Sequence, residues 1–338
     1  MPLLEIEDLH VSFKTIDGVV RAVEGVSLSL DARKTLGVVG ESGSGKSVTA
    51  QTIIGLTRFP NATITGRVMF DGHDLISMDA DHLRAIRGAR IAMIFQDPLS
   101  SLHPFFKVGH QIVEAIRTHE DVPRDVAKKR TIEALRSVGI PSPEERFESY
   151  PHEMSGGMRQ RAMIAMALAL RPDILIADEP TTALDVTVQA QVLELIQALR
   201  DDFGTAVILI THDLGVVAQM CDDVAVMYAG RVMEQASREV LFNEPQHPYT
   251  WGLLQSIPRL DAPRTDRLSP IAGAPPSLIN PPRGCKFHPR CPYAPPPAFE
   301  TEPALAEADA GHLVRCHLPI EERRRLWQSL QQEHPALR

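Results

Sequence analysis

Residues 3 to 30 alternate apolar and polar positions, and the alternation breaks at Asp17-Gly18, which predicts two antiparallel strands joined by a turn. At Thr35 to Val39 the pattern changes to a continuous apolar run, the mark of a short buried strand. A Gly/Ser-rich loop follows, then a helical pattern over Ser47 to Leu56. From about Asp97 to Arg171 helical spacing dominates, with Lys128 to Val138 amphipathic and Met158 to Leu170 rich in Ala and Met. This predicts a helical subdomain inserted over about 97–171. The apolar runs Ile174 to Ala177 and Ala206 to Ile210 flank a helical pattern from Val186 to Leu199, and such βαβ alternation implies a mostly parallel sheet faced by helices. Beyond Ser256 the periodicity dissolves among Pro258, Pro263, Pro270, Pro275, Pro276, Pro281 and Pro282, which break helices and central strands. The expected division is therefore 1–256 and 257–338. The second part is read as an irregular extension that keeps Leu278, Phe287, Tyr293, Phe299 and Leu313 for packing.

A chain of 338 residues has room for one large α/β domain and such an appendage. Its net charge of −8, without a dense basic block, argues against a nucleic-acid groove or a lipid-binding basic tail. The apolar stretch Met163 to Leu170 is far short of the roughly 18 to 20 residues that cross a bilayer, and the opening MPLLEIEDLHVSF lacks the basic and apolar regions of a secretory signal. A cytoplasmic chain without a membrane span is expected. Four cysteines are too few for a disulfide framework, yet Cys285, Cys291 and Cys316 cluster late. No long-period repeat occurs, so each motif below is present once.

The segment Gly40-Glu41-Ser42-Gly43-Ser44-Gly45-Lys46-Ser47 fits the phosphate-binding loop in full and sits between a predicted strand and a predicted helix. Its glycines let backbone N–H groups converge on phosphate, the helix start adds positive potential, Lys46 reaches the β- and γ-phosphates, and the Ser47 hydroxyl binds Mg²⁺. Ile174 to Glu179 is an apolar strand ending in two carboxylates. Asp178 is placed to hold the hydration shell of Mg²⁺, and Glu179 to address the water in line with the γ-phosphate. Alone, such a pair also reads as a helix cap or solvated turn. Met154-Ser155-Gly156-Gly157-Met158-Arg159-Gln160 precedes a helix and forms a second anion site, or, in the plainer reading, a Ser N-cap followed by flexible glycines. One nucleotide held by the first loop leaves this second site without a ligand in the same chain.

Gly40 to Ser47, Gln96, Ser155 to Gln160, Asp178-Glu179, Ala183-Leu184-Asp185 and His212 stand in the order and spacing of ABC-transporter nucleotide-binding subunits, which residues 1–255 resemble. The resemblance implies an α/β fold: a RecA-like P-loop ATPase core with an antiparallel β subdomain, an inserted helical subdomain and the C-terminal extension. It implies that Phe13 stacks on adenine, that Gln96 touches Mg²⁺ and the membrane-subunit interface, and that His212 contacts the γ-phosphate. It also supplies the missing ligand, because in this family two subunits dock head to tail. Ser155, Gly156, Gly157 and Gln160 of one chain then close over ATP held by the other, with Asp185 at the seam.

A narrower likeness covers nearly the whole chain. Phe95 to Leu102, Ser155 to Arg161, Thr181 to Gln189, His247-Pro248-Tyr249-Thr250, Gly284-Cys285 and Arg290-Cys291-Pro292 resemble the di- and oligopeptide and nickel importer branch. This implies a peripheral subunit on the cytoplasmic face of the membrane. Its partners are two transmembrane permease subunits, a second ATP-binding subunit that is more often a different chain, and, indirectly, an extracytoplasmic binding protein that delivers peptide. Import of nickel or another solute, a soluble ABC ATPase and a P-loop kinase are the rival readings, and no nucleic-acid partner is expected. Many members of the branch carry four tail cysteines that in some cases hold a [4Fe–4S] cluster. Here the third matching position, seven residues after Cys291, is Ala298. Three thiolates do not complete a Cys₄ set, so an intact cluster is not expected. A cluster with a labile fourth site, a zinc site completed by His288, His312 or His317, and an extension held by packing alone all stay open. Cys221, after a predicted helix, reads as a packing residue.

Overall fold

The computed structural model describes residues 2–96, 101–181, 185–256 and 271–333. In chain order its strands are β1 (Leu4–Thr15), β2 (Gly18–Leu30), β3 (Thr35–Val39), β4 (Ala62–Phe70), β5 (His73–Asp74), β6 (Ile91–Ile94), β7 (Ile174–Asp178), β8 (Ala206–Thr211), β9 (Asp223–Tyr228), β10 (Arg231–Ser237), β11 (Ala306–Asp309) and β12 (His312–Val314). The chain forms two compact units. One comprises Met1–Leu30, Thr35–Ile76 and Thr211–Arg338; the other comprises Asp31–Lys34 and Ser77–Ile210.

In the first unit β1 and β2 pair antiparallel from Leu4↔Leu30 to Thr15↔Gly18, and the sheet continues to β4 and β5. The inward residues of β1 run Leu4, Ile6, then Leu9, Val11, a change of parity that would turn half the apolar set to solvent in a regular strand. A bulge absorbs it: the register shifts between Ile6 and Leu9, where Asp8 takes φ 45°. The same unit holds β3 parallel to β9, with β9 antiparallel to β10. The C-terminal extension then adds β12 and β11 beside β10. Beyond Pro297 the extension thus regains regular structure that the sequence reading did not assign, including the helix Ile320–Glu333. The prolines mask this because they dominate the segment before it. Both tryptophans anchor the extension: Trp251 and Trp327 stack with centroids 6.2 Å apart, and the Trp327 indole N–H donates to the Asn243 carbonyl at 3.2 Å.

The second unit carries β6, β7 and β8 in parallel. Val108, Ile112 and Ile116 on the helix Val108–His119 and Ala127, Thr131 and Leu135 on Arg124–Ser137 repeat every four residues and are all buried. The helix Gly156–Leu168 packs on the second of these. The expected helix from Val186 runs on to Phe203, where Gly204 takes the left-handed conformation that ends it (φ 70°). Among the described residues no helix is long and apolar enough to cross a membrane.

The extension is seated on a buried carboxylate. Glu234, fully buried on β10, accepts hydrogen bonds from the Gln246 and His247 N–H groups at 2.5 and 3.1 Å and pairs with His312 Nε2 at 2.7 Å. Beside it, burial, and then the charges of Arg323 and Arg315, depress His247 to about 3. Its Nδ1 accepts the Tyr249 N–H at 3.0 Å and caps the helix Pro248–Gln255, so the folded protein holds the ring neutral. An unfolded chain protonates that histidine below about pH 6.5, and stability is then lost as pH falls from there toward the folded value. The expected slope from this group is up to about 1.4 kcal/mol per pH unit. Melting curves between pH 7.5 and 5 test it: His247→Asn, which keeps a capping acceptor without titrating, should show a shallower acid loss than the parent.

Candidate functional site

In the first unit β3 delivers the chain into Gly40, and the helix Lys46–Ile53 leads it away. Between them the backbone folds so tightly that side chains are excluded. Gly40 has φ 150° and a Cβ there would lie 2.1 Å from the Met227 carbonyl oxygen; Gly45 has φ 100° and a Cβ would lie 2.5 Å from that of Ala22. At Gly43 a Cβ would meet nothing within 4 Å, so the loop opens there. Lys46 is buried in its own loop, its ammonium donating to the carbonyls of Gly40 (2.7 Å) and Glu41 (2.9 Å) and contacting Ser44 Oγ (3.3 Å). No side chain caps the helix, the arrangement in which an anion does the capping. Ser42 is exposed and Ser47 half-buried. Phe13 lies half-buried on β1 opposite Val20 and Ala62, and His212 stands exposed before Asp213, whose carboxylate caps Leu214–Met220.

In the second unit Asp178 closes β7 and is buried. Glu179 follows in the left-handed conformation (φ 47°), with its N–H bound to the Ile210 carbonyl at 2.8 Å. A glutamate in that region is strained by about 1 kcal/mol, a cost found where geometry serves a site. Its Oε2 accepts from Gln96 Nε2 at 2.8 Å, so this unit brings Gln96 and Glu179 together. Gln160 is buried, its amide donating to the Pro180 carbonyl at 2.7 Å, and it braces the helix Gly156–Leu168 against the turn that carries Glu179. Ser155 caps that helix through the Met158 N–H at 3.3 Å, and Asp185 caps Val186–Phe203 through the Val188 N–H at 3.0 Å. Ser155, Gly156 and Asp185 are exposed, while a Cβ on Gly157 would approach Val188 to 3.0 Å. Ala183 and Leu184 lie outside the described residues, as do Asp97 to Ser100.

The extension cysteines are at least half-buried, and burial raises all three thiols, Cys291 to about 12 and Cys316 to about 11. Ala298 is buried and its carbonyl accepts the Cys285 N–H at 2.9 Å, so the backbone at the position of the missing cysteine lies beside Cys285, and its side chain offers no thiol. The three candidate histidines each spend a ring nitrogen elsewhere: His288 on the Cys285 carbonyl, His312 on Glu234 and His317 on the Thr301 carbonyl. Among the described residues no three His, Cys, Asp or Glu side chains converge as metal ligands. The donor set does not fit a Cys₄ cluster. Cys221 is buried against Gly37.

Two contacts to the phosphate loop escape a reading of the sequence. The Tyr249 hydroxyl accepts the Glu41 N–H at 2.9 Å, and Arg290 pairs with the Glu41 carboxylate at 2.5 and 3.1 Å. His247 to Thr250 and Arg290 to Pro292 are visible as motifs, but their partner lies more than two hundred residues away and no local pattern points to it.

Comparison with known proteins agrees with this geometry. The ABC transporter family model matches residues 23–182, and the model of the oligopeptide/dipeptide transporter C-terminal region matches 233–297. The chain is 51% identical over 317 residues to the oligopeptide transport ATP-binding protein OppD of Bacillus subtilis (strain 168), covering 94% of this chain and 88% of that one. It is also 51% identical over 317 residues to the dipeptide transport ATP-binding protein DppD of the same organism, covering 94% of each. Among solved structures, the dimeric MJ0796, a bacterial ABC transporter cassette, superposes with a TM-score of 0.63 at 26% identity, over 70% of this chain and 98% of that one. At this identity and coverage the chain belongs to the ATP-hydrolysing ABC transporter subunits and carries the C-terminal region of their oligopeptide and dipeptide branch.

Proposed function

We propose that the chain powers import of di- or oligopeptides from the cytoplasmic face of the membrane, binding Mg²⁺-ATP on Gly40 to Ser47 and hydrolysing it with Glu179. The observation that carries the nucleotide assignment is the loop closed on Lys46 at an uncapped helix start. Phe13 supports adenine, and Lys46 leaves its carbonyl partners for the β- and γ-phosphates. Ser47, Gln96 and Asp178 would hold Mg²⁺, whose charge offsets that of the phosphates. Glu179, oriented by Gln96, takes up proton density from the attacking water, and His212 addresses the γ-phosphate. Ser155 to Gly157 and Asp185 serve the nucleotide of a second ATP-binding subunit, preferentially a different chain, and movement passes through the helical subdomain to two permease subunits. The division at 256 marks where the ATPase motifs end in sequence, while the extension packs in the same compact unit as the phosphate loop. Reconstitution with copurified membrane subunits tests this: peptide delivered by its binding protein should stimulate ATP hydrolysis and accumulate, and accumulation of nickel instead would overturn the substrate assignment.

The extension is held by Glu234, His312 and the tryptophans without a Cys₄ cluster. Anaerobically purified protein should therefore lack stoichiometric iron and sulfide. Near-stoichiometric four-iron content, lost in Cys291→Ser, would show that a replacement ligand exists.

A further inference from the structure

A carboxylate is an odd group to build into a loop that receives a polyphosphate, since like charges repel wherever water is displaced. Glu41 is the second residue of that loop. Its carboxylate does not stand alone. The Arg290 guanidinium meets it fork to fork, Nη1 to Oε2 at 2.5 Å and Nη2 to Oε1 at 3.1 Å. Arg290 reaches from the C-terminal extension and its side chain is 4% exposed, against 29% for Glu41. The remaining donors fix its pose: Nε binds the Ala272 carbonyl at 2.9 Å and Nη2 the Ile271 carbonyl at 3.1 Å, with Tyr228 Oη 3.4 Å from Nη1. The Glu41 backbone is tied as well, its N–H donating to Tyr249 Oη at 2.9 Å. Tyr228, Tyr249 and Phe287 pack their rings together with centroids 4.7 to 5.3 Å apart, joining this part of the extension to the loop's floor. Further along, the Leu278 carbonyl accepts the Arg21 N–H at 3.0 Å on β2, the strand that lies beside Phe13.

From this we infer that Arg290 is a positioning residue of the ATP site: it neutralises Glu41 and fixes the start of the phosphate loop, making the C-terminal extension part of the nucleotide-binding apparatus. The inference rests on reading Gly40 to Ser47 as the ATP loop. Arg290 itself touches no phosphate in this scheme. It acts by removing an opposing charge, and by keeping the Gly40 and Glu41 carbonyls in place when Lys46 turns to the nucleotide.

The test uses the full chain, a fluorescent ATP analogue with Mg²⁺, and melting of each nucleotide-free variant. Lys46→Ala checks the underlying reading: if it binds the analogue as well as the parent, the loop assignment falls and the inference falls with it. With that control passed, Arg290→Gln should weaken binding about 10-fold, because it leaves an unpaired carboxylate in the loop. Arg290→Lys, which keeps charge but not the fork, should lose only about 3-fold. Adding Glu41→Gln to Arg290→Gln should restore binding to within about 3-fold of the parent, the signature of charge compensation. A purely structural role for Arg290 would not be rescued by a second substitution in the loop. In the assembled transporter the change should fall on KM for ATP rather than on kcat. Parent-like affinity in Arg290→Gln would overturn the inference, as would a double variant as weak as the single one. Should Arg290→Gln fail to fold, Arg290→Lys decides the matter: a KM for ATP raised about 3-fold with kcat unchanged supports the inference, and a parent-like KM overturns it.

Discussion

Glu179→Gln should bind Mg²⁺-ATP as tightly as the parent and lose on the order of 100-fold or more in turnover in the assembled transporter. The amide has the shape of the carboxylate, and its oxygen can still accept the Gln96 Nε2 hydrogen bond that Glu179 accepts at 2.8 Å. The left-handed turn is held by the Glu179 N–H to the Ile210 carbonyl, which the substitution leaves alone. Folding and binding are therefore spared while the negative charge is removed. In the proposed role that charge draws proton density from the attacking water, and phosphoryl transfer depends on such positioning and electrostatics more than on covalent chemistry. Equilibrium nucleotide binding and steady-state hydrolysis, measured on the same preparation, separate the two effects. Hydrolysis within about twofold of the parent would remove Glu179 from the role assigned to it.

What could be read from the sequence follows the range over which each signal acts. The spacing of Gly40 and Gly45 records a backbone that passes within side-chain distance of the Met227 and Ala22 carbonyls, so the loop was legible from its own residues. The strands around Val38, Ile176 and Ile208 were legible because burial on both faces leaves a continuous apolar run. The bulge at Asp8 was not, since the alternation on either side of it looks regular and only the change of parity betrays it. Gln160 reads as part of a nucleotide motif, yet its amide is spent on the Pro180 carbonyl, a bond between segments twenty residues apart. The hairpin β11–β12 is short and carries charges on its outer strand, and its pairing with β10 depends on Glu234 meeting His312, 78 residues along. The pairing of Arg290 with Glu41 is longer still, at 249 residues. Neither residue has a neighbour in sequence that hints at the other.

The proposed shared site leads to the other large effect. Gly156 opens the helix Gly156–Leu168, is exposed, and a Cβ built on it would meet nothing within 4 Å. Its φ is not among the positive ones, so a side chain there fits without strain. Aspartate in the first turn of a helix also complements the macrodipole, so Gly156→Asp should melt at or slightly above the parent temperature. The same carboxylate sits at the helix start that is proposed to face the γ-phosphate held by the partner subunit, and there it opposes the anion that the amide groups are meant to receive. The isolated chain should bind ATP on its own Lys46 loop as the parent does. After assembly with its partner subunits, the site closed by the altered helix should lose on the order of 100-fold in hydrolysis. The parent itself should hydrolyse slowly when alone and speed up on assembly, because in the proposed arrangement a single chain holds one loop and one closing helix but needs the helix of another. Titrating hydrolysis against protein concentration, alone and with partners, reads both outcomes. A parent with high specific activity at every dilution, or a Gly156→Asp chain that weakens its own ATP binding, would mean that each chain completes its own site and that the helix start closes over the nucleotide of the same subunit.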